Sequence, residues 1–452
     1  SDTPPWIRWL APLLYADPDW RAGPDALRRG SGGPPALWGR GISGDRPIVL
    51  LRIADADGSR AAETLLRAQR RWRQHWLGVD VVLLVTAGGD AGAALQRQLC
   101  SLQDSRVASD RAATNDDDQV AKAEAFVLRE EQLDAPFLDG LTRAARVVLV
   151  CQGSDAIPAA SRPPEDGSGF SPAPETPEPV AHAAAAADAA TTFAPWPGAS
   201  EGVLEFDNGI GGFAGAGREY RIVLDDGGCT PAPWINVVAN PDFGFIVSAE
   251  GGGYTWSRNS QQNPLTPWPN DPVTDAPNEV IYLRDQDSGE LWSATAAPIR
   301  VDGVSYRVTH GKGWSRFSHH AHGIDIDLLQ YVPMADSIKL SRLRLHNRSG
   351  RARRLAVTGY VRWALAPNGS ISAPYVVTER DPATGALFAR NSWRAEFGER
   401  VAFIDLGGAQ TSCSGDRGAF LGRYGSIEKP QALSADSLCG RTGAGLDPCG
   451  AL

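Results

Sequence analysis

The chain has 452 residues, of which 42% are hydrophobic and 21% are charged. This length predicts two or three domains rather than one core, and the composition is ordinary for a globular protein. The net charge of −9 disfavours nucleic acid as a partner, because nucleic acid binding needs a basic face. No apolar run reaches the ~18 residues that span a membrane, so we expect no membrane contact from this stretch.

Residues 1–45 form a distinct amino-terminal segment rich in proline, glycine and tryptophan. Trp6, Trp9 and Leu13 recur at helical spacing, which predicts a short helix followed by a loop. The first ten residues lack the charged and then apolar pattern of a secretory signal. We therefore expect residues 1–45 to be an N-terminal helix and loop.

Residues 46–151 alternate between apolar strands and amphipathic helices, and we interpret them as a small α/β domain. Strands are predicted at 48–53, 79–85, 125–128 and 147–150, and helices at 91–102 and at 137–145. Another helix is predicted after the first strand, with Ser59 as its candidate N-cap and Gly78 at its end. Strands this apolar, separated by helices, indicate a parallel sheet that is covered on both faces. The prediction is a small Rossmann-like layer.

The loops after the first two predicted strands do not indicate a nucleotide site. They read ADADGS at 54–59 and TAGGDAG at 86–92, and neither matches a phosphate-binding glycine fingerprint. A packing or spacer module is the expected role of this domain, and no cofactor is expected.

Residues 152–200 are dominated by proline, alanine and acidic side chains. No apolar periodicity survives there, and such a composition cannot bury enough surface to offset chain entropy. We predict a linker that is semi-extended where proline is dense.

From residue 201 to 452 the hydrophobic period is two, broken by turn residues. Leu343 and Leu345 alternate with arginines, and the return strand places Leu355, Val357 and Val361 on one face. Hairpins that recur at this spacing predict a large antiparallel β-sandwich. The fold class expected for the whole chain is therefore multidomain, α/β followed by all-β.

Six long motifs occur in order along this β region. They are FDNGIGGF at 206–213, WINVVANPDFG at 234–244, LTPWPNDPV at 265–273, YLRDQDSGELWS at 282–293, ERDPATGALFARN at 379–391 and GRTGAGLDPCGAL at 440–452. With these motifs the region resembles the supersandwich part of glycoside hydrolase family 94, which includes cellobiose phosphorylase-like enzymes and the carboxy-terminal region of cyclic β-1,2-glucan synthases. The resemblance implies a β supersandwich of the galactose mutarotase type.

The resemblance also bears on activity. In that family the catalytic acid and the phosphate site lie on an α-helical barrel that follows the supersandwich, and no segment here is predicted to be that barrel. No catalytic residue is carried over, and we expect a noncatalytic scaffold or carbohydrate-associated module. Its parent would be a glycosyltransferase or glycoside phosphorylase acting on β-glucan or oligosaccharide, using inorganic phosphate in the phosphorylase case.

The partners implied by the resemblance are the parent's C-terminal helical barrel, a β-glucan or oligosaccharide, and a second copy in a homodimer. The parent would lie at the cytoplasmic face, tethered to the inner membrane. Six cysteines without a CxxC pair agree with a reducing compartment. Two alternatives stay open: a self-sufficient phosphorylase or transglycosidase, and a stand-alone carbohydrate-binding protein.

Sugar-contact candidates come from the fourteen tryptophans, since sugar rings stack on indole faces. Trp256, Trp268 and Trp393 lie in or beside glycine- and proline-rich loops, where binding residues concentrate. The alternative is that they pack the sandwich. The resemblance adds Arg390 and Asn391 as polar contacts, because the sandwich of one subunit approaches its dimer mate's active site.

A cluster of histidines invites a metal hypothesis, which we do not favour. His319, His320 and His322 are close in sequence, but alternation along a strand would leave only His320 and His322 on one face. Two ligands without a placed third make a weak zinc site, so no metal is expected. Asp325 and Asp327 alternate on the next predicted strand and should share a face.

Overall fold

The computed structural model describes most of the chain. The described residues are 4–14, 18–29, 32–113, 123–151, 159–160, 204–225, 227–268, 271 and 273–452. The predicted linker at 152–200 lies outside them apart from Ala159–Ala160.

The regular elements of the described residues are named here in chain order. The helices are α1 (Pro5–Arg8), α2 (Leu10–Leu14), α3 (Pro24–Arg29), α4 (Pro35–Trp38), α5 (Ser59–Gln74), α6 (Gly89–Ala113), α7 (Ala135–Ala144), α8 (Gly369–Ser372) and α9 (Arg417–Leu421). The strands are β1 (Ile48–Ile53), β2 (Asp80–Val85), β3 (Ala125–Arg129), β4 (Ala145–Val150), β5 (Ala159–Ala160), β6 (Gly211–Ala214), β7 (Glu219–Leu224), β8 (Ile235–Ala239), β9 (Phe243–Ser248), β10 (Gly253–Ser257), β11 (Glu279–Asp285), β12 (Leu291–Ser293), β13 (Tyr306–Gly311), β14 (Trp314–Ala321), β15 (Ile324–Tyr331), β16 (Leu340–Asn347), β17 (Leu355–Arg362), β18 (Val377–Arg380), β19 (Leu387–Arg390), β20 (Val401–Ile404), β21 (Ser414–Asp416) and β22 (Pro448–Ala451).

The first sheet has the order β3-β2-β1-β4-β5, and its first four strands are parallel. Alternate residues of these strands pack on opposite faces, as the pleat requires. One face meets Trp9, Leu65 and Trp72 from the α2 and α5 side. The other face meets side chains from the segments around α3, α4 and α7, such as Leu27. The predicted parallel sheet with helices on both faces is confirmed.

Two local details of the α/β part differ from prediction. Ser59 is the first residue of α5 rather than its cap, because Asp55 caps a preceding 3₁₀ turn and Gly58 takes the N-cap position. The helix ends at Gln74 rather than at Gly78, and Trp76 follows it with a positive φ of 62°. The local polar bond from the Gly58 amide to Asp55 outweighs the capping preference of Ser59.

The rest of the described chain is mainly antiparallel β structure, with the short helices α8 and α9. Its sheets have the orders β10-β9-β8, β12-β11-β17-β22-β21, β16-β15-β14-β13-β7-β6 and β18-β19-β20. The six-stranded and five-stranded sheets face each other over a core that contains Phe317, Leu328 and Leu283. Leu355 and Val357 lie opposite Asp285 and Leu283 in the register. Leu355 packs against this core, whereas Val357 is 36% exposed. The architecture is mostly β with a small parallel sheet.

The parallel sheet and the β region share one apolar cluster. Val377 and Trp393 from the β region pack with Leu50, Val82 and Leu141 from the parallel sheet and α7. The boundaries predicted at 46–151 and 201–452 stay a prediction, but the two parts are in direct side-chain contact. Among the described helices, none combines the length and apolar character of a membrane-spanning segment.

Candidate functional site

The outer face of the three-stranded sheet β8–β10 carries a group of aromatic side chains. On β10, Tyr254 and Trp256 share one side because they are two residues apart. Trp268, from the loop that follows, stacks on Tyr254 with ring centroids 5.2 Å apart and an interplanar angle of 13°. Tyr254 and Trp256 lie 5.4 Å apart. These three residues are called the aromatic platform below.

The aromatic platform combines a buried base with an exposed ring. Tyr254 is buried, Trp256 is half-buried, and Trp268 is 53% exposed. A Cβ at Gly244, the cross-strand partner of Trp256, would lie 2.4 Å from the indole, so only glycine leaves room for that ring. An exposed indole held flat by a buried aromatic neighbour is the kind of surface on which sugar rings stack.

The opposite side of β10 faces a polar cluster. The hydroxyls of Thr255 and Thr266 both donate to Oε1 of Glu279, each at 2.6 Å. Nζ of Lys339 donates to the other carboxylate oxygen of Glu279 at 2.8 Å, and lies 4.4 Å from the centroid of the Phe245 ring. Burial alone would raise the pKa of Glu279, but Lys339 and the two hydroxyls hold it below the ordinary value. The carboxylate is therefore charged and satisfied.

This cluster lines a cleft of about 1060 Å³ in the β region. Most of its wall surface is apolar, with side chains such as Leu343 and Val357. Within the described residues, three buried polar atoms of its lining have no hydrogen-bond partner: Oε1 of Gln330, Nε1 of Trp363 and Oδ1 of Asn391. A cavity with apolar walls and a few placed polar groups has the general form of a ligand site.

The three candidates from the segment 390–393 lie apart from the aromatic platform. Arg390 ends β19 and is exposed. Asn391 is 4% exposed, and its Nδ2 donates to the carbonyl of Leu365 at 3.2 Å. Trp393 is 6% exposed and stacks on Tyr375 with centroids 5.3 Å apart.

The burial of Trp393 corrects its selection as a sugar platform. Its indole belongs to the cluster shared with the parallel sheet, which leaves no free ring face. Flanking loop sequence did not reveal this, because the α/β part that covers the ring is distant along the chain. A connection that sequence reasoning missed comes from Arg394, whose Nη2 donates to the carbonyl of Gln262 at 3.0 Å, in the loop after β10.

The histidine cluster is divided between different environments. His319 points inward, with its ring 4.5 Å from that of Tyr306, and burial lowers its pKa to about 4. His320 is exposed, with Nδ1 2.6 Å from Oδ1 of Asp325. His322 lies in the turn after β14 with a φ of 50°, so the predicted shared face of His320 and His322 is wrong: the strand ends at Ala321.

The carboxylates of this sheet are occupied by arginines. Asp327 accepts hydrogen bonds from Arg316, with Nε 2.9 Å from the carboxylate. Asp325 accepts from Nε of Arg348 at 2.7 Å, and both this bond and the His320 contact hold its pKa down against burial. Among the described residues, no group of three or more His, Cys, Asp or Glu side chains is placed to hold a metal ion.

The carboxyl ends of the parallel strands are closed by the protein's own side chains. Oε2 of Glu131 accepts from the amide of Gly89, the first residue of α6, at 3.0 Å. Glu130 accepts from Nη2 of Arg52 at 2.9 Å. A helix N-terminus is the place where a nucleotide phosphate would bind, and here a glutamate already lies on it.

Comparison with known families resolves the identity of the β region. The model of the glycosyl hydrolase 94 supersandwich domain matches residues 218–452, which is more than half of the chain. The chain belongs to glycoside hydrolase family 94. The β region described above is therefore the supersandwich domain of this family.

Several characterised proteins are similar in sequence. The cyclic beta-(1,2)-glucan synthase NdvB of Rhizobium meliloti (strain 1021) is 36% identical over 97% of this chain, which covers 15% of that protein. The N,N'-diacetylchitobiose phosphorylase of Vibrio furnissii is 26% identical over 54% of the chain and 31% of its own length. The solabiose phosphorylase of Paenibacillus borealis is 25% identical over 54% of the chain and 32% of its own length. The chain thus spans less than a third of each of these relatives.

Proposed function

We propose that this chain is a noncatalytic, carbohydrate-associated module of a longer β-glucan-processing protein of family 94. The observation that carries the proposal is the aromatic platform, in which an exposed Trp268 lies flat on Tyr254. Membership of a carbohydrate-active family supports it. The similarity to a protein named as a glucan synthase extends into the α/β part as well.

The noncatalytic part of the proposal is supported by the state of the carboxylates. Inverting glycosidases and their phosphorylase relatives need a carboxylic acid that faces the attacking group across the sugar. In the described supersandwich, Asp285, Asp325 and Asp327 are each paired with an arginine. Glu279 is paired with Lys339. Against the effect of burial, hydrogen bonds and neighbouring cations hold the pKa of Glu279, Asp285 and Asp325 below the ordinary value, whereas a general acid must carry a proton.

The finer fold assignments belong to the same proposal. We assign the parallel sheet to a Rossmann-like layer, on the basis of its strand order β3-β2-β1-β4. We assign the supersandwich to the galactose mutarotase type. The parent would lie at the cytoplasmic face, tethered to the inner membrane. This module would contact the parent's helical barrel and a second copy of the protein in a homodimer.

The first test is an activity assay on the purified chain. We expect no phosphate-dependent release of a sugar 1-phosphate, and no hydrolysis, from β-1,2-, β-1,3- or β-1,4-linked gluco-oligosaccharides. Either activity, if it co-purified with the chain and was lost in a variant of one of its own carboxylates, would contradict the noncatalytic role.

The second test is calorimetry with linear and cyclic β-1,2-glucans. A shallow platform without enclosing walls predicts a Kd at or above about 1 mM, or about −4 kcal/mol. Trp268→Ala should abolish the measured binding and leave the thermal midpoint unchanged, since the ring is mostly solvated. Trp76→Ala, on the α/β part and 74% exposed, is the matched control. Binding that survives Trp268→Ala would remove the aromatic platform as the site.

A further inference from the structure

Three arginines meet where the parallel sheet contacts the supersandwich. Arg21 follows the 3₁₀ turn Pro18–Trp20, Arg143 lies on α7 and Arg146 on β4. Nη2 of Arg21 donates to the carbonyl of Arg143 at 2.9 Å, and Nη2 of Arg143 donates to the carbonyl of Tyr375 at 3.0 Å. The guanidinium of Arg21 lies 5.7 Å from the centroid of the Tyr375 ring. These contacts place the guanidiniums of Arg21 and Arg143 beside one tyrosine. Arg146 follows Arg143 closely in the chain, at the start of β4.

The cluster is deeply buried. Arg21 is 1% exposed and Arg143 is 0% exposed. Nε and Nη1 of both residues have no hydrogen-bond partner. Burial lowers the pKa of Arg21 and of Arg143 to about 10, and each is lowered further by another arginine of the cluster. Both are still charged at neutral pH, so the site holds positive charge together with unpaired donors.

A buried charge of this kind is expected to have a counter-charge, since an unpaired ion in the interior is strongly unfavourable. Within the described residues, no carboxylate forms an ion pair with Arg21, Arg143 or Arg146. The groups whose charges act on their pKa values are each other and Tyr375. The three arginines therefore have no negatively charged side chain as a partner among the described residues, and an anion from outside could fill this role.

Two members of the cluster are partly exposed to solvent. Arg146 and Tyr375 are half-buried, whereas Arg21 and Arg143 are enclosed. Arg146 is the least buried arginine of the three, so an anion from solvent would meet it before the buried, unpaired N–H groups of Arg21 and Arg143. Planar guanidinium groups present paired N–H donors that match the oxygens of phosphate.

We propose that Arg21, Arg143 and Arg146 bind a phosphate group at the junction of the parallel sheet and the supersandwich. Three cations match a phosphate dianion better than a single carboxylate. Because Arg21 and Arg143 belong to the α/β part and Tyr375 to the supersandwich, an anion bound there would also strengthen the contact between them. The site is separate from the aromatic platform and does not depend on the proposed function.

The test is calorimetric titration of the full chain with inorganic phosphate and with a hexose 1-phosphate, at constant ionic strength in chloride. We expect saturable binding of at least one of them, with a matching rise in the thermal midpoint. Phosphate binding should weaken by about tenfold or more in Arg146→Met, because charge-assisted hydrogen bonds are among the strongest polar contacts. Arg342→Met, at an exposed position on β16, should bind like the wild type.

The two phosphates identify the source of the group. Binding of both indicates a site for the phosphate alone, and binding of only the hexose 1-phosphate indicates that the sugar contributes. Arg146→Lys keeps the positive charge but loses the paired N–H donors, so this variant should bind phosphate with intermediate strength. It tests the proposal even if the Arg146→Met variant folds poorly. No saturable binding of either phosphate, or equal binding by wild type and Arg146→Met, would overturn the proposal.

Discussion

The parallel sheet and the small sheet β8–β10 treat their polar and aromatic groups in opposite ways. At the ends of the parallel strands, Glu131 and Glu130 already bond the first amide of α6 and Arg52. On β8–β10, by contrast, Trp268 is left exposed over a buried tyrosine. In parallel sheets, ligands commonly bind at the carboxyl edge, but in this protein glutamate side chains already occupy that edge. The exposed candidate surface lies on the antiparallel sheet instead.

The two regions also differ in how they are packed. Every residue of β2 is buried, and β1 is buried apart from Arg52. The supersandwich instead contains a cleft of about 1060 Å³ with a half-buried ion pair in its wall. Dense packing makes the α/β part sensitive to loss of volume, whereas the supersandwich depends more on its polar pairs. The predictions below test this difference.

The largest expected effect is at the shared cluster. Trp393→Ala removes a buried indole and should destabilise the intact chain by about 3–5 kcal/mol, the usual cost for such a truncation. Urea unfolding followed by fluorescence and by circular dichroism measures it, with Trp76→Ala as the exposed control. A loss below about 1 kcal/mol would mean that the contact between the two regions contributes little to stability.

Cleavage of the chain sharpens the same point. A protease site placed between 163 and 197 should give two pieces that each fold, as the composition predicts. Because Val377 and Trp393 pack on the α/β part, we expect the pieces to co-elute in gel filtration, and to separate when Trp393→Ala is introduced. Separation of the unmutated pieces would show that the shared cluster does not hold them together.

Most strands of the two regions could be predicted from the sequence, because strand patterns depend on residues that are neighbours in the chain. Apolar runs such as 48–53 and the two-residue period around Leu343 reflect burial of neighbouring residues, so strands and their faces were found. The position of Trp393 depends on the α/β part, more than 200 residues away in the chain, and that of Asn391 on the carbonyl of Leu365, in another loop. Local patterns carry no information about such contacts.

The same limit explains what was missed in the supersandwich. Glu279 and Lys339 are 60 residues apart, and neither lies in a motif that marks a half-buried pair. The end of β14 at Ala321 was also missed, because a glycine two residues later permits a turn that strand periodicity does not show. Family resemblance supplied the fold of this region but not these contacts.

The half-buried pair in the cleft gives the next effect. Lys339→Met leaves the Glu279 carboxylate without its cation and should cost about 2–3 kcal/mol at neutral pH, somewhat less than the loss of one partner from a fully buried pair. In the wild type the pKa of Glu279 is lowered, so its stabilising effect is present above the unfolded pKa and is lost as the pH falls. In the variant we expect the opposite slope, because burial would then raise the pKa, and acidification towards pH 4 should reduce the difference.

Urea titrations from pH 4 to pH 8 measure both slopes. Lys312→Met, at an exposed position in a turn, controls for the loss of one positive charge. If the Lys339→Met variant loses the same stability at pH 4 as at pH 7, the ion pair is not the cause of its loss.

The smallest expected effect is at the closed edge of the parallel sheet. Glu131→Gln removes a negative charge from the N-terminus of α6 and should cost about 0.5–1 kcal/mol, since the helix dipole and one exposed ion pair contribute on that scale. Glu131 also pairs with Arg129. Glu130→Gln is the matched control, because Glu130 is adjacent and pairs with Arg52 but does not contact the helix N-terminus. We expect Glu131→Gln to be the more destabilising of the two in urea unfolding at low salt, with the difference shrinking as salt is added. Equal effects at all salt concentrations would mean that Glu131 does not act through the helix, and the contrast between a closed and an open edge would then rest on the aromatic platform alone.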